Sequence, residues 1–260
     1  MEMSFYNGKL GAAAQQAKMD VVANNIANVS TAGYKAKTMR FSDLMYHNME
    51  GIDGTETDAK SGSGVKADRT STSFEKGSIN LSSSQTDFSI EGRGFFALQN
   101  PQTGERVYTT CGNFVLAEKG ESFYLASKDG NFVIGTDDEP IRIKSGSEEV
   151  WDPNMQTDKD GNPLGGMAVS IEEAEPAVFD FPKTEGMLSV GDSNFIPVEK
   201  NGEPVLVEDA MVTRGSYEGS NVDISKEFTK VIEAQRAYQY SLRMVQTTDE
   251  IQNLVNNLRS

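Results

Sequence analysis

The chain ends, at residues 220–260, with SNVDISKEFTKVIEAQRAYQYSLRMVQTTDEIQNLVNNLRS. No Pro or Gly interrupts residues 221–260, and Asp223 or Ser225 is placed to cap the start of a helix. The prominent side chains recur at alternating steps of four and three residues, the spacing of a coiled-coil seam: Ile224, Phe228, Val231, Gln235, Tyr238, Leu242 and Val245. A second stripe continues at Met244, Thr248, Ile251, Val255 and Leu258. The stretch therefore predicts a C-terminal helix about 55 Å long, whose apolar stripe needs a partner.

Ser4–Asn28 is predicted to form a second helix. Small and apolar residues cover more than half of its circumference in two stripes: Leu10, Ala14, Ala17 and Val21, and Ala12, Met19, Ala23 and Ile26. Because small side chains allow a close approach on several sides, we expect this helix to be surrounded by neighbours. The segment ends at Ser30–Gly33, where Gly33 is free to take a positive φ.

Three amides, Asn24, Asn25 and Asn28, crowd the last turns of this helix. Asn is a poor residue for a helix interior, so these positions call for an explanation. Two interpretations stay open. The last turn frays, or the amides pair across an interface and fix its register, as a buried Asn does in a coiled coil.

The middle of the chain predicts mostly short strands. Phe41–Tyr46 instead fits a short amphipathic turn of helix, and Glu50–Gly64, rich in Gly, Ser, Thr and Asp, predicts a mobile loop. Closely spaced strand-like runs with tight turns then predict an antiparallel meander. The predicted strands are Val65–Thr72, Asp87–Ile90, Gly94–Gln99, Glu105–Thr109, Asn113–Ala117, Glu121–Ala126 and Asn131–Ile134, with weaker ones at Ile141–Lys144, Met167–Ile171, Ala177–Phe181, Asn194–Pro197 and Pro204–Val207. The fold class is therefore α+β, with the two terminal helices as each other's first partners.

The charge balance limits the partners of the chain. The 24 Lys and Arg against 39 Asp and Glu give a net charge of −15, which argues against nucleic acid or anionic lipid. Between Asp137 and Asp209, 18 acidic and 5 basic residues account for −13 of this charge, so the middle is expected to face water while the ends are covered. The N-terminus lacks the pattern of a cleavable signal peptide, and no apolar run approaches the ~20 residues of a membrane span. We expect the protein to stay in the cytoplasm or to leave by a route that keeps its N-terminus.

Catalytic and metal-binding patterns are largely missing from the sequence. His47 is the single histidine and Cys111 the single cysteine, so neither a Ser-His-Asp nor a Cys-His set, nor an internal disulfide, is expected. Asp158–Gly161 resembles part of a calcium loop but lacks its Glu at the twelfth position. The pairs Glu148/Glu149 and Glu172/Glu173 are best explained as a solvated acidic face, with a cell-wall glycosidase as the rival interpretation. The residues thus predict no enzyme, no cofactor and no metal.

Three segments together resemble the bacterial flagellar rod and hook axial proteins. The first is Gln16–Lys35, with MDVVANNIANVSTAGYK at its centre; the second is Phe74–Phe96, FEKGSINLSSSQTDFSIEGRGFF; the third is Gly219–Glu250. They occur in the order typical of that family and include both ends of the chain. Within the family, the run RFSDLMY at Arg40–Tyr46 favours the distal over the proximal segment of the rod. Cys111, in place of a charged or polar residue, departs from the family pattern.

The resemblance implies a structural, non-enzymatic axial subunit that self-assembles into a helical tube and transmits torque. The N- and C-terminal helices would pair as a coiled-coil layer, giving a discontinuous polymerisation domain at 1–35 and 220–260. An extended connector with a mobile loop would occupy 36–75, and a β-rich domain 76–219, including a variable acidic region at about 141–205. The implied partners are further copies of the chain, other flagellar rod and hook proteins and the flagellar export apparatus. The implied location is the flagellar basal body in the periplasm and cell wall.

The predicted assembly interface combines both helices. Its residues are Leu10, Ala14, Ala17, Val21, Asn24, Asn25 and Asn28 from the first helix, and Phe228, Val231, Gln235, Tyr238, Leu242 and Val245 from the second. The alternatives are a proximal-rod or hook subunit of the same family, a secreted cell-wall glycosidase, and a soluble coiled-coil adaptor.

Overall fold

The structure is a computed structural model that describes residues 2–50, 56–119, 122–143, 175–207 and 209–259. The chain divides into two compact units. The first comprises residues 1–29, 36–73 and 222–260, and the second comprises 30–35 and 74–221. The strand predicted at Met167–Ile171 and the carboxylate pairs at 148–149 and 172–173 lie outside the described residues.

Two long helices from opposite ends of the chain form the first unit. Helix α1 spans Glu2–Ala27 and helix α2 spans Ile224–Arg259. They run antiparallel, because Gly8 of α1 lies against Val245 while Asn25 bonds to Glu227. The predicted partnership of the terminal helices is thus confirmed. Neither helix is long and apolar enough to cross a membrane, as far as the described residues go.

Asp223, one of the two residues predicted to cap α2, caps the start of this helix. Its Oδ1 accepts hydrogen bonds from the backbone N–H groups of Ser225 at 3.0 Å and Lys226 at 3.2 Å. The bond from the Lys226 backbone is the main cause that lowers the pKa of Asp223 below its ordinary 3.8. A carboxylate at this end also complements the positive end of the helix dipole.

A β ribbon completes the first unit. It consists of β1 (Lys37–Asp43), β2 (Tyr46–Glu50), β3 (Glu56–Gly62) and β4 (Val65–Thr72), in which β1 pairs with β4 and β2 with β3, both antiparallel. The helical turn predicted at Phe41–Tyr46 is therefore wrong, because half-buried Ser42 and Leu44 alternate with exposed neighbours in a period of two. The loop prediction is wrong for Glu56–Gly62, where the backbone bonds of β2 impose a strand on a polar sequence.

The second unit is built from short antiparallel strands. They are β5 (Ile79–Leu81), β6 (Phe88–Glu91), β7 (Phe95–Gln99), β8 (Arg106–Thr109), β9 (Val115–Lys119), β10 (Ser122–Ala126), β11 (Phe132–Val133), β12 (Arg142–Ile143), β13 (Val178–Asp180), β14 (Leu188–Gly191), β15 (Asn194–Ile196), β16 (Val205–Leu206), β17 (Met211–Arg214) and β18 (Ser216–Glu218). Ten of them share a sheet whose central path runs β12-β10-β11-β7-β8-β15-β14, while β17 pairs with β6 and β18 with β5. The antiparallel prediction is confirmed, but the order is not a simple meander.

Strand β7 separates two apolar clusters. Phe96 and Leu98 belong to one cluster, with Phe88, Phe114 and Leu125, and are almost fully buried. Phe95 and Ala97 alternate with them and belong to the other cluster. Because successive side chains of a strand point to opposite faces, β7 is buried on both faces of the sheet. The core of the second unit is centred on this strand.

A buried ion pair joins segment 30–35 to the rest of the second unit. Lys35 Nζ lies 2.7 Å from Glu218 Oε1, and Nζ also donates to the carbonyl of Glu75 at 3.0 Å. Glu218 Oε1 accepts a further bond of 2.7 Å from the Gly77 N–H. Gly33 takes the predicted positive φ, 66°, and its N–H donates to the carbonyl of Glu218. Since both charges are desolvated, each depends on the other.

Candidate assembly interface

Helix α2 turns a stripe of mostly small or polar side chains toward the interior of the first unit. Most of its buried and half-buried positions recur at steps of four and three: Glu227, Val231, Ala234, Tyr238, Ser241, Val245 and Thr248. The opposing positions of α1 include two glycines. A Cβ at Gly8 would lie 2.8 Å from Val245 Cγ2 and 3.2 Å from the Ser241 carbonyl oxygen, and one at Gly11 would lie 3.1 Å from Ser241 Oγ. The two backbones therefore approach closely because side chains are missing there.

Asn25 is the polar centre of this helix pair. Its side chain is completely buried, and Nδ2 donates to the Lys37 carbonyl at 2.8 Å and to Glu227 Oε2 at 3.0 Å. Oδ1 accepts from the Lys37 N–H at 2.9 Å. Glu227 is itself buried and forms an ion pair with Lys230 at 2.5 Å. One amide thus binds α1 to the start of β1 and to the first turn of α2, which favours a register role over fraying at this position.

The other two amides behave differently from Asn25. Asn24 is exposed and Asn28 is half-buried, and Asn28 Nδ2 donates to the Asn24 carbonyl at 2.9 Å within the last turn. This is a local bond that completes the end of the helix. Among these amides, Asn25 bonds to α2, through Glu227.

A second face of α1 lies against the β ribbon. Asn7 Nδ2 donates to the Gly62 carbonyl at 2.9 Å, and Leu10 lies beside Gly64. The predicted stripe continues this face at helical spacing with Ala14, which is 3% exposed, and the half-buried Ala17 and Val21. Neighbours cover α1 on two sides, since α2 and the strands β1 and β4 all contact it, but Ala13, Gln16, Asp20 and Ala23 are exposed, so the helix is not surrounded within the single chain.

An exposed apolar stripe remains on α2 beside the buried one. Phe228 is 53% exposed and Leu242 is 39% exposed, and Ile224 and Ile232 extend the same surface. We call Ile224, Phe228, Ile232 and Leu242 the exposed stripe. Among the predicted interface residues, Phe228, Gln235 and Leu242 are exposed, whereas Val231, Tyr238 and Val245 are half-buried. One half of the predicted seam therefore packs within the chain, and the other half is exposed to solvent.

The free ends of both helices carry further apolar surface. Phe5 and Tyr6 of α1 are exposed, as are Ile251, Leu254 and Leu258 of α2. In the register that sets Gly8 against Val245, α2 continues beyond the first residues of α1. Its last turns thus present apolar side chains that α1 does not cover.

The sequence reasoning missed several residues of the helix pair. Glu227 and Ala234 were not proposed, yet Glu227 bonds to Asn25 and Ala234 is completely buried. Gly8 and Gly11 were also missed. The available signal was the recurrence of small residues on both helices, three apart at Gly8 and Gly11 and seven apart at Ala234 and Ser241, which allows a close approach.

The described residues hold no group of three or more His, Cys, Asp or Glu side chains arranged to bind a metal ion. His47 belongs to strand β2. Cys111 is half-buried, and burial raises the pKa of its thiol above the usual 9.0, so the thiol is poorly suited to act as a nucleophile.

The fold and the interface define an α+β protein. Its two ends form one helical unit, and apolar side chains of these helices remain exposed. Two family models match these ends: "Flagella basal body rod protein" over residues 5–35, and "Flagellar basal body rod FlgEFG protein C-terminal" over residues 213–258. Over nearly its full length, the chain is similar to curated relatives. The chain belongs to the family of flagellar basal-body rod proteins.

Three relatives illustrate this similarity. Flagellar basal-body rod protein FlgG of Caulobacter vibrioides is 31% identical over 96% of this chain and 97% of the relative. The protein of the same name from Buchnera aphidicola subsp. Schizaphis graminum is 30% identical over 98% and 99%. Flagellar basal-body rod protein FlgF of Mesorhizobium japonicum is 28% identical over 95% and 94%.

Proposed function

We propose that this protein is a non-enzymatic axial subunit of the flagellar rod, which assembles with copies of itself into a helical tube that transmits torque. The supporting observation is the exposed stripe, which adjoins a helix pair already closed within the chain. Large apolar side chains that share one exposed side of a helix are typical of an interaction site. A neighbouring copy that covers the exposed stripe would bury Phe228 and Leu242. Each Å² of apolar area removed from water in this way stabilises the assembly by about 25 cal/mol.

In this proposal the predicted interface residues have two roles. Asn25, Val231, Tyr238 and Val245 hold the terminal helices in one register, and the α1 stripe from Leu10 to Val21 packs α1 against the β ribbon. Phe228, Gln235 and Leu242, together with the uncovered ends of both helices, contact the neighbouring subunits as a coiled-coil layer. The polymerisation domain of this proposal comprises the two terminal helices, which lie within 1–35 and 220–260.

The finer assignments rest on the family resemblance. We place the subunit in the distal segment because of the run RFSDLMY at Arg40–Tyr46, with other rod and hook proteins as its axial neighbours. Passage through the flagellar export apparatus into the periplasm is part of the same proposal. Locating the protein within purified basal bodies separates the distal rod from the proximal rod and the hook.

The experiment targets the exposed stripe. In a strain that carries only the variant, Phe228→Asp and Leu242→Asp should each remove rods from purified basal bodies, because a charge would be buried between subunits. The soluble variants should unfold within about 1 kcal/mol of the wild type, since both side chains already contact water. Val205→Asp is the matched control, because Val205 lies in the second unit and is 56% exposed.

Two outcomes would contradict the proposal. Rods that form normally with Phe228→Asp and Leu242→Asp would show that the exposed stripe carries no contact. Equal loss of rods with Val205→Asp would show that any added charge blocks assembly.

Two other measurements test the rival functions. A small closed oligomer in light scattering would favour the adaptor, and cell-wall hydrolysis in a zymogram would favour the glycosidase.

A further inference from the structure

The chain passes four times between the two units, at residues 29/30, 35/36, 73/74 and 221/222. Three short stretches of the second unit adjoin these passages: 30–35, 74–77 and 218–221. Any force that the chain carries from one unit to the other must therefore enter the second unit through these stretches. Their contacts with one another decide whether such a force acts on one stretch or on all three.

Glu218 joins the three stretches at one buried point. Its Oε1 lies 2.7 Å from Lys35 Nζ and accepts a bond of 2.7 Å from the Gly77 N–H. Its carbonyl accepts a bond of 2.7 Å from the Gly33 N–H. Only 3% of the Lys35 side chain and 8% of the Glu218 side chain are exposed. Because little water reaches these groups, their bonds are stronger than the same bonds would be at the surface.

A second set of contacts repeats this connection around Glu75. The Glu75 carbonyl accepts from Lys35 Nζ at 3.0 Å and from Asn221 Nδ2 at 2.9 Å. The Asn221 N–H also donates to the Tyr34 carbonyl at 3.3 Å. The last residues before the fourth passage are thus bonded to both of the other stretches.

The backbones of two stretches also approach each other closely. A Cβ at Gly77 would overlap the carbonyl oxygen of Gly219, and the Gly219 N–H donates to the Ser78 carbonyl at 2.7 Å. The missing side chain at Gly77 is what allows this approach. A shift of either stretch therefore breaks bonds that hold the other.

We propose that these contacts form a mechanical latch, in which the three stretches open together or stay closed together. The latch comprises Gly33, Lys35, Glu75, Gly77, Glu218 and Asn221. Its bonds share atoms, since Lys35 Nζ, Glu218 Oε1 and the Glu75 carbonyl each take part in two of them. Removing one bond therefore weakens its neighbours, which is the condition for cooperative opening. A force on any stretch is then borne by all three; that this force is the torque of a rotating rod rests on the proposed function.

The latch is distinct from the apolar core of the second unit. Ile134 and Ala177 are completely buried in that core, and the Ala177 N–H donates to the Ile134 carbonyl at 2.9 Å. The Ile134 N–H donates to the Ala97 carbonyl at 3.0 Å. Polar contacts hold the latch and apolar packing holds the core, so the latch opens while the core stays folded, as a separate unit of local unfolding.

The test is native-state hydrogen exchange of the full chain, read at single amides in low concentrations of urea. The amides of Gly33, Gly77 and Asn221 report the latch, because each donates a bond within it. The amides of Ile134 and Ala177 report the core. In the wild type the three latch amides should share one opening constant within about threefold and one urea slope, and should exchange about tenfold faster than the core or more.

Two variants test the coupling. Asn221→Ala removes the side-chain bond to Glu75 and leaves the buried charges in place. It should raise the exchange of all three latch amides about fivefold, as expected for one hydrogen bond, although Gly33 and Gly77 bond to Glu218 instead. Glu218→Gln keeps an acceptor for Gly77 but leaves the Lys35 charge unpaired, and should raise all three about 100-fold or more.

Ile134→Val is the control variant. It shortens a completely buried side chain of the core and should raise the exchange of the core amides about two- to tenfold. The three latch amides should exchange as in the wild type, because the core around position 134 stays folded when the latch opens.

Three results would overturn the proposal. Different urea slopes at the three latch amides would show that their bonds open one by one. Faster exchange of Asn221→Ala at position 221 alone would show that this residue frays independently. Equal effects of Ile134→Val on latch and core would show that the latch opens only when the whole unit unfolds. Because exchange is measured on the purified chain, basal bodies that lack the protein would refute the proposed function and leave the latch standing.

Discussion

Replacing Asn25 with Ala removes the only side chain that bonds α1 to both Lys37 and Glu227 in the described contacts. The substitution suits the helix backbone, because Ala has the higher helix propensity. Any loss of stability therefore reports the hydrogen bonds and the space that the amide fills. The change thus isolates the proposed register contact from the helix itself.

The size of the effect follows from the three bonds of Asn25. The two bonds to the Lys37 backbone contribute about 1 kcal/mol each, and the bond to the Glu227 carboxylate about 1.5–3 kcal/mol. The substitution also leaves a buried carboxylate with fewer partners. We expect the free energy of unfolding to fall by about 3–5 kcal/mol, which corresponds to about 6–20 °C in Tm for a chain of this size.

The assay is urea unfolding of the soluble full chain, followed by far-UV circular dichroism. Asn24→Ala is the matched control, because it makes the same exchange one position earlier at an exposed side chain. It should change the free energy of unfolding by less than about 1 kcal/mol. The slope of the unfolding curve should stay the same in both variants, since neither changes the surface that unfolding exposes.

The reasoning is refuted if Asn25→Ala loses no more stability than Asn24→Ala. That result would mean that water replaces the amide at no cost, and that the burial of Asn25 has no part in setting the register. A large loss with Asn25→Ala and an equally large loss with Asn24→Ala would instead indicate a general sensitivity of the last helical turns, and would favour fraying.

Three further predictions concern other contacts. Gly8→Ala should lower the free energy of unfolding by about 1–3 kcal/mol in urea, despite the usual helix preference for Ala, because its Cβ would meet Val245 Cγ2 at 2.8 Å and the Ser241 backbone at 3.2 Å. Gly11→Ala, which meets only the Ser241 side chain, should cost less, and the reverse order would contradict the close approach. Asp223→Ala should lower Tm near neutral pH. Because hydrogen bonds lower the pKa of Asp223 below 3.8, its contribution is present above that pH and is lost as the pH falls through the lowered value. Asp223→Asn, which caps without titrating, should keep its stability in acid; a pH-independent gap between wild type and Asp223→Ala would count against the cap. Lys35→Met should cost about 3–5 kcal/mol by leaving Glu218 unpaired, and Lys35→Met combined with Glu218→Gln should cost less than the two single changes together. Strict additivity in urea unfolding would argue against the ion pair.

Elements with a strong local signal were predictable from the sequence. Helix α2 was predictable because its apolar residues recur at helical spacing without an interrupting Pro or Gly, and because Asp223 caps its start. Strand β4 was predicted with the bounds that the structure has, Val65–Thr72, because alternation and flanking turn residues are local features. In both cases neighbouring residues are sufficient to specify the backbone.

Elements that depend on distant partners were not predictable. The helical turn predicted at Phe41–Tyr46 includes the last residues of strand β1, and the pairing of β1 with β4 makes these residues extended. Strand β3 has almost no apolar residue and is specified by the backbone bonds of β2. Tertiary pairing overrides weak local preference in both strands. The order of the main sheet is non-local for the same reason.

Hydrophobicity alone does not decide which stripe of α2 contacts α1 and which remains exposed. Two seams at steps of four and three overlap on α2 and share Val231, Tyr238 and Val245. One adds large side chains, Phe228 and Leu242, and the other adds small or polar ones, Ala234 and Ser241. Ranking by apolar character favours the first seam, yet α1 offers glycines at the contact, so only the second allows the backbones to approach. The larger side chains are left in water within the single chain, which makes them available to a neighbouring subunit in the proposed assembly.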